Sequence, residues 1–315
     1  MTEATVSRDG TKSVHIVRSS RPARKFTRSR NAIELRVLKV LRPVVAGTLL
    51  LAAVFPFLYV LVLSTRDIAS LQRDPARFWP ALDEVRLDAY VDVLLPLESG
   101  GQDFARLMLN SAVIAVATVL ITLLVAVPGS YAVSRLDFFG RRQVSSLFLA
   151  VYLFPGILLA VPLFVAFTRL GLRGNIWVLV VVYVSQTVAV AIFMLKNYFQ
   201  TVPVGLEEAA ALDGLGRLGI IRRIILPLSL PAIVSNALFV FMIAWNEFLF
   251  ALLFLVEDRS RWTVSLGLAQ LTNALETPPA TLMAGSIVLT LPVVAIFFAT
   301  EKFLAGGLTS GAEKG

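Results

Sequence analysis

Few residues of this chain are chemically equipped to react. The 315-residue sequence holds no cysteine and one histidine, His15. Disulfides and thiolate metal sites are thereby excluded, and a lone histidine in a basic tail leaves almost no room for histidine-based catalysis. Residues Gly214, Gly216 and Gly219 spell a literal GxGxxG. A dinucleotide site needs that pattern straight after a buried strand, opening the helix of a βαβ unit. Here an alanine-rich acidic stretch with helical spacing precedes it, so no cofactor is expected on this chain. The phosphate-loop pattern GxxxxGK with Ser or Thr is absent, as are HExxH and GxSxG. If ATP drives any process here, another subunit binds it.

What remains is a set of polar side chains placed inside long apolar runs. Asn246 and Glu247 stand in one such run, and Ser185, Gln186 and Thr187 in another. Helical spacing puts Asn236, Val240, Ile243 and Glu247 on one face, and Ser235, Phe239, Met242 and Asn246 on its neighbour. The second face joins an aromatic ring to hydrogen-bonding groups. A ring stacks on the apolar face of a sugar, and an amide bonds its hydroxyls. The same residues also suit plainer duties. Asn246 and Gln186 can bond a neighbouring helix, Phe239 can pack in lipid or core, and Glu247 can reach out to the surface.

These side chains need elements to hold them. Hydrophobic residues make up 57% of the chain and charged residues 16%, and the mean hydropathy is +0.78. Soluble domains average about 45–50% apolar and about 25% charged. The surplus calls for a bilayer. Six apolar segments approach or exceed the ~20 residues a crossing needs: 43–64, 110–133, 146–168, 177–195, 231–255 and 281–300. Backbone groups in hydrocarbon must be satisfied internally, so each is expected to be a helix. Pro155 and Pro162 are expected to kink the third. The fold class is an all-α membrane protein with six transmembrane helices.

Charge sets the expected orientation. Eleven of the 29 Lys and Arg residues lie in the first 42. A basic stretch before a span is the positive-inside signal, and few aromatics accompany it, so nucleic acid is not an expected partner. With both termini inside, the inner segments carry 20 of the 29. The first apolar run is long enough to span and is expected to be retained. The outer loop 65–109 carries eight acidic residues with Trp79 and Pro80; short surface helices are compatible with it, and its sequence does not fix its structure. Three parts follow: a basic cytoplasmic tail 1–42, a membrane domain 43–306, and a C-terminal tail 307–315.

The inner loop 196–230 is the most informative. Leu206, Ala209 and Ala210 have helical spacing, Gly214 breaks it, and Leu218, Ile221 and Ile225 resume it before Pro227 and Pro231. This reads as helix, glycine turn, helix, with a shallow alanine surface on which a partner can sit. A plain connecting loop would read the same way.

Glu208-Ala209-Ala210, Gly214, Ile224 and Leu226-Pro227 together resemble the cytoplasmic EAA loop of binding-protein-dependent ABC importer permeases. Asn110-Ser111, Tyr131-Ala132, Arg135, Phe139-Gly140-Arg141, Pro155-Gly156, Pro162 and Trp245-Asn246-Glu247-Phe248 look like the same family. The ending from Gly307 to Gly315 resembles that of the smaller, maltose-type sugar permease subunit. The likeness covers roughly residues 40–315. It implies a type I ABC importer permease fold, and it implies alternating access driven elsewhere. ATP and Mg would sit on a homodimeric ATPase subunit. A second homologous permease, an extracytoplasmic solute-binding protein, a sugar and membrane lipid would be the other partners.

By that resemblance Glu208, Ala209, Ala210, Asp213, Gly214 and Leu215 would couple to the ATPase, and Gly307, Thr309, Gly311 and Lys314 would touch it. Asn246, Glu247, Phe239, Met242, Asn236 and Gln186 are the expected pathway residues. Leu215, Gly216 and Gly219 depart from the family's usual residues, which predicts a looser second half of the loop. Three other readings stand beside this one. They are a permease of the same fold for a solute such as glycerol phosphate, an ion-coupled carrier, and an intramembrane enzyme. The last lacks any catalytic cluster.

Overall fold

A computed structural model of the chain describes residues 27–66, 73–74, 77–81, 83–273 and 277–309. Every regular element among them is helical. Four helices are long and apolar enough to cross a membrane, and bent helix pairs raise the number to as many as six.

The chain forms two compact units, one up to Pro56 and one from Phe57 onward, and the residues of helix α1 (Thr27–Ser64) belong to both. Its stretch Leu38–Ser64 is one of the four crossing lengths. Helix formation begins at Thr27, sixteen positions before the first apolar run expected from the sequence.

In the unit from Phe57 onward, the loop after α1 forms the short surface helix α2 (Asp88–Leu94) and a 3-10 turn, Leu97–Ser99. The long helices α3 (Phe104–Arg135) and α6 (Ile176–Phe199) form the most extensive pairing. Helix α9 (Leu230–Asn246) packs on both, and also on α12 (Pro279–Thr309). Apolar sequence alone does not fix such pairings, because lipid is as apolar as leucine. Small residues and buried polar pairs do that in a membrane. Thr122 of α3 and Thr187 of α6 meet at 3.0 Å, both fully buried.

Two of the six expected spans are not continuous helices. The third, 146–168, is broken into α4 (Arg141–Leu153) and α5 (Ala160–Arg169), with a 3-10 turn at Gly156–Leu159 and an 83° bend. Pro155 sits at the break with φ −65° and ψ 105°. Pro162 makes no kink: it falls in the first turn of α5, where a helix needs no N–H donor. The fifth, 231–255, stops at Asn246 and restarts as α10 (Leu249–Leu255). Beyond α10 lie a 3-10 turn at Arg259–Arg261 and the helix α11 (Val264–Asn273).

The buried side chains form two clusters. One gathers Phe104, Leu107, Tyr183, Trp245, Phe254 and Leu266. The other lies at the opposite ends of α3 and α6 and joins Ala126, Tyr131, Leu195 and Phe199 to Ala210, Ile220 and Ile225. The second cluster ties the loop 196–230 to the long helices.

Candidate functional site

The loop begins after α6 with helix α7 (Val204–Leu212). Its C-terminal end is a complete Schellman motif. The N–H of Gly214 bonds the Ala211 carbonyl and the N–H of Leu215 bonds that of Ala210, both at 3.0 Å. Gly214 takes φ +85°, a left-handed conformation that a side chain disfavours. Asp213 is the capping residue, and its own N–H bonds Ala209. Leu215 then packs back on the cluster holding Ala210, the apolar contact that accompanies this motif.

The second half of the loop, expected to be looser, is helical from Arg217 to Leu228 and is called α8. A π turn at Ile221–Ile225 interrupts it, and an 80° bend at Ser229 leads into α9. The departures at Leu215 and Gly219 answer each other. A β-carbon added to Gly219 would stand 3.3 Å from Leu215 Cδ2, so the bulky residue lies over the small one.

The buried side of α7 carries a carboxylate as well as an alanine. Leu206, Ala209 and Leu218 are exposed, while Ala210 and a carboxylate, Glu207, are buried. Glu207 Oε1 meets Arg135 Nε at 2.6 Å, and Tyr131 Oη donates to Glu207 Oε2 at 2.9 Å. Arg135 also donates to the carbonyls of Phe199 and Val202, at 2.7 and 2.6 Å. One guanidinium thus joins the end of α3, the end of α6 and helix α7. A buried carboxylate without such partners would be strongly destabilising. Spacing within the loop gives no sign of Glu207, because its partners stand in another span. A buried-carboxylate search against Arg135, already prominent in the sequence, was the signal available.

Of the expected coupling residues, Ala210, Gly214 and Leu215 build the turn and its anchorage. Glu208, Ala209 and Asp213 face outward. Beside them, Leu212 is 89% and Leu218 79% exposed. Of the expected tail residues, Gly307 and Thr309 fall within α12, which continues through Thr309. Gly311 and Lys314 lie outside the described residues.

The expected pathway residues separate into two groups. Asn236 is fully buried and donates from Nδ2 to the Ala191 carbonyl at 3.1 Å. Glu247 holds four contacts. It accepts from Tyr183 Oη at 2.5 Å and from the N–H groups of Phe250 and Ala251 at 2.8 and 3.2 Å. Its own carbonyl accepts from Ser265 Oγ at 2.5 Å. The carboxylate therefore caps the restarting helix α10 and binds it to α6 and α11. Both carboxylate oxygens are engaged by these bonds.

The neighbouring face differs. Met242 and Asn246 are exposed, and Phe239 and Ser235 are half-buried. Among the described residues Asn246 bonds its own helix, at Met242 O. The side chain of Gln186 is half-buried and lies opposite the break in the third span. A β-carbon on Gly156 would be 3.7 Å from its Cδ. Among the described residues no group of three or more metal-ligating side chains occurs.

Asn110 and Ser111 have a clear duty at the other end. Asn110 Nδ2 donates to the carbonyls of Ser260 and Trp262, and Ser111 Oγ accepts from the N–H of Val264. They tie the start of α3 to the turn before α11.

An all-helical apolar bundle with a folded loop pinned to two long helices defines a multi-pass membrane protein. The family described as binding-protein-dependent transport system inner membrane component matches residues 126–305, and the chain belongs to it. The inner membrane ABC transporter permease protein YcjP of Escherichia coli is 38% identical over 84% of this chain and 93% of its own length. The trehalose/maltose transport system permease protein MalG of Thermococcus litoralis is 36% identical over 86% and 96%. A bacterial ABC transporter that imports the acidic polysaccharide alginate, solved as a crystal structure, shares the fold. Its matching chain gives a TM-score of 0.70 at 23% identity, over 88% of this chain and 98% of that one.

Proposed function

We propose that this chain is one of the two transmembrane subunits of an ATP-driven sugar importer. The solute class is an oligosaccharide or a disaccharide such as maltose or trehalose. The trehalose/maltose relative supports that class, as does the trehalose permease protein SugB of Mycobacterium tuberculosis, 34% identical over 68% of this chain. In this reading the chain crosses the inner membrane six times, with both termini in the cytoplasm. The pairs α4 with α5 and α9 with α10 each count as one crossing. A second permease, a homodimeric ATPase carrying ATP and Mg, and an extracytoplasmic binding protein complete the assembly. A solved alginate transporter whose chain shares the fold was captured with its solute-bound periplasmic protein, at a TM-score of 0.63 and 14% identity.

One observation carries the coupling part. Helix α7 has two unlike sides: Glu207 binds it to Arg135 of α3, which also holds the end of α6, and Glu208, Ala209 and Leu212 are left facing out, with Leu218 of α8 beside them. A helix so held passes motion between whatever seats on its outer side and the long helices. ATP binding must favour one orientation of those helices over the other, or it shifts nothing. The exposed face of α9, with Phe239, Met242 and Asn246, is the solute-facing surface in this reading. An ion-coupled carrier would need a free carboxylate in the spans, and Glu247 is spent on capping α10.

The test is solute-stimulated ATP turnover of the co-purified assembly. Glu208→Lys and Gly214→Pro should each insert and yet lose stimulation. Unchanged stimulation in both removes the coupling assignment.

A further inference from the structure

A cavity of about 500 Å³ opens where the end of α3, the start of α4 and the last turns of α6 meet. Its lining includes Asp137, Arg141, Arg142, Ser145, Lys196 and Gln200. The proposed solute route does not use it, and the anchorage of α7 does not involve it. Three cations face it against one carboxylate, and that carboxylate is already taken: Arg141 binds Asp137 at 2.8 Å. Arg141 is also fixed by the carbonyls of Val133 and Ser134, each at 2.8 Å. Lys196 Nζ donates to Ser145 Oγ at 2.5 Å. Among the described residues no carboxylate lies in ion-pair reach of Lys196 or Arg142.

The donors are plentiful. Three bonds use three of the five N–H groups of Arg141, and Lys196 keeps two of its three. The Ser145 hydroxyl accepts from Lys196 and has its own proton to give. Uncompensated cations with spare donors select a phosphate or sulfate oxyanion. The surroundings narrow that choice. Phe139 is wholly exposed and Phe138 partly so, both on the turn that forms the cavity wall. Leu147, one helical turn beyond the lining residue Gln143, is 58% exposed. An anion site that opens directly onto exposed apolar side chains fits an amphiphile better than a free ion.

We propose that this cavity holds the phosphate headgroup of an anionic phospholipid, with the acyl chains lying along Phe139 and α4. Basic pockets between helices are used in this way at the membrane surface. The site requires neither the solute nor the ATPase, so its test is separate from that of transport.

The full chain, purified in mild detergent, is exposed to dioleoylphosphatidylglycerol or dioleoylphosphatidylcholine, and retained lipid is counted by native mass spectrometry. Phosphatidylglycerol should be retained at least about tenfold better. Arg142→Gln and Lys196→Gln should each lower that retention roughly fivefold, at about one unit charge of surface attraction. Arg142 is exposed, so its variant folds even if Lys196→Gln does not. Arg222→Gln, exposed on α8 and outside the cavity, should change nothing. Equal retention of the two lipids overturns the proposal, as does an equal effect of Arg222→Gln. Full displacement of the lipid by millimolar inorganic phosphate would make this a free-phosphate site and also overturn it.

Discussion

Glu207 and Arg135 meet at 2.6 Å with about a tenth of each side chain exposed. They join the loop helix α7 to the end of α3, and Tyr131 closes the group from one turn earlier on α3. The outward residues of the loop keep a fixed relation to the bundle because of this contact.

Removing the carboxylate should therefore cost more than removing one bond to it. Glu207→Ala leaves a buried guanidinium without its counter-ion and should destabilise by about 3–5 kcal/mol. Tyr131→Phe deletes a single charge-assisted bond and should cost about 1.5–3 kcal/mol. Thermal melts of the purified protein in one detergent give the ranking, and a larger effect from Tyr131→Phe would contradict it.

The outward leucines should behave in the opposite way. Leu212 and Leu218 are nearly free of contacts within the chain. Their serine variants should shift stability by less than about 0.5 kcal/mol. Recovery of the ATPase on a tagged chain should nonetheless fall about tenfold, the loss of ~1.4 kcal/mol at an interface. Normal recovery with both leucines replaced would place the contact elsewhere.

Glycines 214 and 216 offer an internal contrast. Gly214 sits at φ +85° and Gly216 at φ −71°, and open space surrounds both. Gly214→Ala should cost about 1–2 kcal/mol from backbone strain alone. Gly216→Ala should be neutral or slightly stabilising. Equal melts for the two variants would mean that the turn relaxes.

Transport kinetics should separate α9 into its two faces. Glu247→Ala removes the cap of α10 and strands the Tyr183 hydroxyl, so its melt should fall by the equivalent of about 2–4 kcal/mol. Asn246→Ala and Met242→Ala should leave the melt in place and alter the KM for solute uptake in reconstituted vesicles. A stable Glu247→Ala with altered KM would return that carboxylate to the pathway.

Much of the scaffold could be read from residue order. Apolar runs long enough to span mark the helices, and Gly214 marks the turn after α7. The two faces of α9 also divide as helical spacing requires, with Asn236 and Val240 buried and Met242 and Asn246 exposed. The break at Glu247–Phe248 could not be read so easily, since neither residue is Gly or Pro and apolar residues continue past it. A carboxylate in mid-run was the one clue, and it serves as a cap. The burial of Glu207 was hidden for another reason. Its hydroxyl partner is 76 residues away, and no local pattern reports a pair that only tertiary packing creates. Breaking the third span at Pro155 was legible as a kink, but a proline in the sequence does not set the 83° angle.

The pinning of α7 to the last turn of α3 also fixes a mechanical ratio. Helix α3 has 32 residues, a length of about 48 Å at ~1.5 Å per residue. Were it to tilt as a rigid rod, the tip opposite that anchorage would carry Asn110 and Ser111 and, through them, the turn before α11. A pivot near its midpoint and a tilt of about 5° would move each tip by ~2 Å in opposite senses. A push on one side of the membrane would then arrive on the other as an equal and opposite shift, wide enough to break or make a hydrogen bond.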